Sequence, residues 1–114
     1  MTINSTATLR GGLIQMALKS STDNDPDTIR QAMIEAHIPL IEEAGEKGVQ
    51  VLCFQEVFTQ PYFCPSQDEK WYASAESIPS GPTTVLMQEY AKKYRMVIVV
   101  PIYEKDDVTG VYYN

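Results

Sequence analysis

The chain has 114 residues, 44% hydrophobic and 21% charged, enough for one small domain with a real core but not for two. That balance excludes a disordered tail. The formal charge of −6, with no run of Lys or Arg, argues against a nucleic-acid surface, because phosphate binding needs clustered cations.

Residues 1–8 are polar and expected to form a flexible N-terminus. The start "MTINSTATLRGG" lacks the basic end and apolar stretch of an export signal. No apolar run approaches the ~20 residues that cross a bilayer. Asn4-Ser5-Thr6 fits the glycosylation pattern, which without an export signal reads as chance. Two cysteines make no disulfide framework, so a reducing cytoplasm is the expected compartment.

"LRGGLIQMAL" (9–18) reads as a first strand carried by Leu13-Ile14 and Met16-Ala17-Leu18; Gly11 and Gly12 weaken it. Residues 21–48 predict the clearest helix, with Asp25 as cap, Pro26 at the first position and Gly48 as the stop. Ile29, Met33, Ala36, Leu40 and Ala44 form its inward stripe, and Pro39 predicts a kink. "VQVLCF" (49–54) reads as a strand buried on both faces. Strand, helix, strand predicts a crossover unit with parallel strands.

Residues 57–79 have no period and predict a long connection with short helical turns around "SQDEKWYASAE"; long loops in small domains are usually functional. A second helix is expected over 79–94, with Ser80 or Gly81 before Pro82 and Leu86, Tyr90, Ala91 and Tyr94 facing inward. "RMVIVVPIYE" (95–104) reads as a third strand buried through Val97–Val100, with Pro101 marking an edge or a bulge. Thr109-Gly110 turns into a fourth strand. The order β-α-β-α-β-β is an α/β pattern.

In such sheets ligands bind beyond the carboxyl ends of the parallel strands. Glu56 lies two residues past Phe54, at that edge, in "VLCFQEVFTQPYFCP" (51–65). It reads as a cap or surface residue, or as a general base favoured by partial burial. The other chemistry-bearing residues point to less. Cys53 and Cys64 are eleven apart and His37 is the lone histidine, so no zinc set assembles. His37 reads as a helix-surface residue, and no nucleophile pairs with it unless it points into the site. Gly11-Gly12 precedes a strand, the wrong context for a phosphate loop. Cys53 reads as a small core residue, and nothing near Cys64 in sequence activates its thiol. Tyr62, Phe63, Trp71 and Tyr72 read as loop packing.

"VLCFQEVFTQPYFCPSQDEKWYASAESIPSGPTT" resembles the segment around the first catalytic residue of the nitrilase (carbon–nitrogen hydrolase) superfamily, in its β-ureidopropionase and N-carbamoylputrescine amidase branch. "GLIQM" resembles that family's first strand, "EEAGEKGVQVLCFQE" its helix-to-strand junction, and "YRMVIVVPIYEKDDVTGVYYN" the strand and hairpin that follow. The resemblance covers residues 9–114. It implies a Glu-Lys-Cys triad in which a thiolate attacks an amide or ureido carbon, the Lys stabilises the oxyanion and the Glu handles the protons. Glu56 matches that Glu, and Tyr62 helps shape the pocket wall. Lys70, Lys92, Lys93 and Lys105 are not in the matching context, nor are Cys53 and Cys64. The catalytic Lys and Cys are therefore expected beyond residue 114.

The resemblance further implies the N-terminal part of an α-β-β-α sandwich, with one sheet face lacking its partner and this chain alone inactive. It implies a small-molecule amide or N-carbamoyl substrate, no cofactor, no membrane partner and a homo-oligomer. Two other readings stay open: a non-catalytic binding or assembly module that kept part of the fold, and an unrelated flavodoxin-like binding domain.

Overall fold

The computed structural model describes residues 6–114. The flexible-terminus expectation for residues 1–5, and Asn4 with it, lies outside the described residues. The first helix, α1 (Pro26–Glu46), starts where its cap dictates. The Asp25 carboxylate accepts from the Thr28 backbone N–H at 2.9 Å and from the Thr28 hydroxyl at 2.6 Å, using one of the free donors of the first turn. At the other end Val49 N–H donates to Ala44 C=O and Gly48 N–H to Gly45 C=O. With Gly48 at φ +73° this is the paired-bond termination that glycine favours. The helix runs on through Pro39 as one element.

Its buried row is Ile29, Met33, His37 and Ile41, with Ile34 beside it. The expected stripe holds at Ile29 and Met33, and Ala44 packs half-buried against the core, but Ala36 is only half-buried and Leu40 is 39% exposed while Ile41 is fully covered. Steps of four follow the ridge that lies oblique to a helix axis, so the contact row drifts around the helix relative to a straight 3.6-residue stripe. His37 is accordingly not a surface residue. It is 0% exposed and sits edge-on to Phe54 and Phe58, with ring centroids 5.4 and 4.9 Å away.

Three parallel strands, β1 (Gly11–Ile14), β2 (Val51–Phe54) and β3 (Val97–Val99), form one sheet with β2 in the centre. The first strand thus begins on the glycines and stops before Met16. Gly12 permits this, because a Cβ there would meet Leu52 and Val49 side-chain carbons at 3.1–3.4 Å. Register places Leu13, Cys53 and Val99 in one row and Gly12, Leu52 and Ile98 in the next. The sheet is one-sided. Ile14, Leu52 and Phe54 are buried with Ile34, Ile41, Phe58, Met87 and Met96. On the other face Leu13 is 86%, Val97 62% and Val99 47% exposed. The expectations that 49–54 is buried on both faces and that Val97–Val100 is buried throughout are therefore corrected. A valine-rich run looks the same whether or not a second layer covers it.

The second helix, α2 (Pro82–Tyr94), is capped by Gly81, which has no side chain to accept from the first turn. Glu76 supplies that group from the preceding loop. Its carboxylate accepts from Thr83 N–H at 2.8 Å and from the Thr83 hydroxyl at 2.6 Å, where the helix dipole favours a negative charge. Gly45 lets the two helices meet, since a Cβ there would lie 2.2 Å from the Tyr94 ring. The expected third strand breaks at Pro101. Its tail becomes β4 (Glu104–Lys105), which turns through Asp106 and Gly110 to pair antiparallel with β5 (Tyr112–Tyr113). The chain is a small mixed α/β fold of helices on a parallel sheet, plus this hairpin.

Candidate functional site

The carboxyl end of β2 is where the hydrophobic pattern fails, and the geometry there explains the failure. Gln55 reaches across to the segment after β1, its Oε1 accepting from Met16 N–H at 2.6 Å. Two residues later Val57 and Phe58 are 1% and 0% exposed. Phe58 N–H donates to Pro101 C=O at 3.3 Å, and Gln60 Nε2 donates to Pro26 C=O at 2.8 Å. Burying both Val57 and Phe58 directly after the strand forces a sharp reversal. Val57 adopts φ +48°, a left-handed conformation that a β-branched residue enters only at a cost. Strain of this kind persists only where surrounding packing over-determines it, and it gathers at functional sites.

The reversal throws Glu56 outward. It is exposed rather than partly buried, and it stands between two concavities. One, of about 390 Å³, is lined by Glu56 with Ile78, Val100, Pro101, Ile102, Glu104, Tyr113 and Asn114. The other, of about 460 Å³, is lined by Glu56 with Gln15, Met16, Leu18, Gln55, Gln60, Pro61 and Tyr62. Asn114 Nδ2 donates to Glu56 Oε1 at 2.6 Å.

Tyr62 is 60% exposed and shares the second concavity with Glu56. The neighbouring Cys64 and then the Glu56 carboxylate push the Tyr62 hydroxyl above the usual phenol range. The structure therefore brings Glu56 and Tyr62 to one rim. Tyr62 is not loop packing, whereas Phe63 and Trp71 are: their rings stack at 5.6 Å, and Trp71 docks on Ile29 and Met33 of α1. The turns expected around "SQDEKWYASAE" are two 3₁₀ segments, Cys64–Ser66 and Glu69–Ser74.

Other candidates stay apart. Among the described residues neither concavity beside Glu56 has a lysine or a cysteine in its lining. Lys70 reaches the Thr22 carbonyl and lies over Trp71. Cys53 sits half-buried in the central strand, and Cys64, beside Tyr62, is exposed and lines an aromatic hollow with Phe63, Trp71, Tyr72 and Tyr103. Among the described residues no three His, Cys, Asp or Glu side chains form a metal-holding group, and no helix is long and apolar enough to cross a membrane. Asn114 was invisible to sequence reasoning, because nothing local links it to a carboxylate 58 positions earlier. Val57 carried a faint signal, a β-branched residue directly after the polar pair.

Comparison with known proteins gives this geometry a lineage. The family model for carbon-nitrogen hydrolases matches residues 12–114. A β-ureidopropionase of Arabidopsis thaliana is 38% identical over 98 residues, which is 86% of this chain and 24% of that protein. An N-carbamoylputrescine amidase of Solanum lycopersicum is 36% identical over 75 residues, 66% of this chain and 24% of its own length. A citrullinase of Francisella tularensis is 27% identical over 93 residues, 82% of this chain and 32% of its own. The chain thus spans about a quarter of the length of the first two relatives. With a family match running from β1 to Asn114, and with Glu56 at the open end of the central strand, the chain belongs to the carbon-nitrogen hydrolase family.

Proposed function

We propose that this chain is the N-terminal portion, over residues 9–114, of a hydrolase that cleaves non-peptide C–N bonds in N-carbamoyl amines or N-carbamoyl β-amino acids. Glu56 is its proton-handling residue. One observation carries the reading: in a chain of this family, a strained turn holds an ionisable carboxylate in the open at the carboxyl end of the central parallel strand, between two concavities. The likeness to a β-ureidopropionase and an N-carbamoylputrescine amidase supports the substrate class.

In this reading Glu56 takes a proton from a cysteine thiol, and the thiolate adds to the ureido carbon while a lysine ammonium stabilises the oxyanion. Glu56 returns the proton to the departing nitrogen and then activates water against the thioester. The net reaction consumes one water and releases the free amine, ammonia and carbon dioxide. Tyr62 forms part of the wall beside the reacting group. The absence of lysine and cysteine from both linings among the described residues fits a triad completed by further chain, as does the quarter-length coverage of the relatives. The bare apolar face of the sheet fits a second sheet laid against it to make an α-β-β-α sandwich.

The test is ammonia release from N-carbamoyl-β-alanine and N-carbamoylputrescine by the full-length protein and by its Glu56→Gln variant. Hydrolysis by the parent and a loss of 10³-fold or more, on the order expected for a unit-acting catalytic group, supports the reading. Equal rates in the two proteins would remove Glu56 from the chemistry. Turnover by the 114-residue chain alone would show that the triad is not completed elsewhere.

A further inference from the structure

We infer that Asn114 is a positioning residue for Glu56, an inference that rests on the function proposed above and names a part of the site the family match does not. Asn114 follows β5 and lines the same concavity as the glutamate, and its Nδ2 donates to Glu56 Oε1 at 2.6 Å across 58 residues of chain. Among the described residues this is the side-chain hydrogen bond that the Glu56 carboxylate receives. It leaves Oε2 unengaged. An exposed carboxylate on a turn has free rotors, and one charge-assisted bond restricts them.

The residue type fits the task. A primary amide carries two donors on one side and an acceptor on the other, and rotation about its last torsion exchanges them. Toward an ionised glutamate Asn114 presents N–H. Toward a protonated glutamate it can present C=O. A group that must accept and then return a proton needs a partner compatible with both states. A lysine or arginine would favour the ionised form alone, and an aspartate would oppose it by like charge.

The hairpin that precedes Asn114 is internally bonded. Asp106 accepts from the Val108 and Thr109 N–H groups at 2.8 Å each, and its own N–H donates to Val111 C=O. Tyr112 stacks on Tyr103 with centroids 5.3 Å apart. Asn114, itself exposed, directly follows this short, internally bonded unit beside the concavity.

Two measurements test the inference separately from the reaction. In the 114-residue chain, the ¹⁵N–¹H signals of the Asn114 side-chain amide are followed by NMR through the acid range. They are expected to shift as one carboxyl titrates, and that response is expected to vanish in Glu56→Gln. Amide signals indifferent to Glu56→Gln overturn the pairing, whatever the enzyme does. In the full-length protein, Asn114→Ala is expected to lower kcat on N-carbamoyl-β-alanine on the order of 10–100-fold, the size of one lost charge-assisted bond, with KM within twofold. Asn114→Gln should recover part of the loss, and Asn114→Asp should be the slowest at neutral pH. An unchanged kcat in Asn114→Ala, with an active parent, overturns the positioning role. An inactive parent with a coupled NMR titration counts against the proposed reaction and leaves the pairing established.

Discussion

Lowering the pH from 7.5 to 5.5 is expected to weaken this chain through one side chain. His37 is the single histidine and is fully buried between Phe54 and Phe58. Its Nδ1–H donates to Met33 C=O at 2.7 Å, and its Nε2 has no partner among the described residues. Burial pushes the imidazole below its ordinary 6.5, an effect only partly opposed by the bond to Met33. The unfolded chain therefore takes up a proton more readily than the folded form as the pH falls through about 6.5. Stability is complete above that value and falls as the pH drops through it. For an unfolded histidine of pKa about 6.5, protonation favours the unfolded state by about 1.4 kcal/mol at pH 5.5 and about 0.1 at pH 7.5. The loss between the two pH values therefore has an upper bound of about 1.3 kcal/mol. Urea unfolding followed by circular dichroism, at the two pH values, reads it directly. His37→Leu is expected to flatten the dependence in this window, because the carboxylates titrate lower. Equal parent stability at both pH values would refute the argument, as would the same loss in His37→Leu.

Three further outcomes follow from the packing. Glu76→Ala strips the start of α2 of its acceptor and leaves the buried Thr83 donors unpaired, at a cost of about 2–3 kcal/mol, measurable as a lower urea midpoint; a change under half of that would show that water replaces the carboxylate. Val57→Gly is expected to destabilise less than Val57→Ala, reversing the usual order, because glycine relieves the φ of +48° by on the order of 1–2 kcal/mol; paired chemical denaturation of the two variants decides it. Gly45→Ala gains helix propensity of about 1 kcal/mol yet drives a methyl to 2.2 Å from the Tyr94 ring. A net loss of about 1–2 kcal/mol is expected, and a stabilised variant would mean that Tyr94 swings clear freely.

Legibility in the sequence followed the range of the forces. Both helix starts were readable because Asp25-Pro26 and Gly81-Pro82 act within one turn. The parallel pairing of β1, β2 and β3 followed from alternation with helices, and Glu56 stood out because it broke an apolar run. Burial was harder. Val97 and Val99 read as core although they face outward, and His37 read as surface although it is enclosed. Each depends on what lies across a layer, which composition does not record. Glu76 as the cap of α2 and Asn114 on Glu56 depend on loop geometry over seven and 58 positions, and no local pattern announces either.

The reversal after β2 has a practical consequence for anyone wishing to redesign this rim. The acidic group is aimed by two greasy neighbours, Val57 and Phe58, sunk beneath it, so altering them would swing the aim before it altered selectivity. Residues along the two walls, such as Gln15, Leu18, Ile78 and Tyr113, line the space without anchoring the turn, which makes them the safer places to substitute.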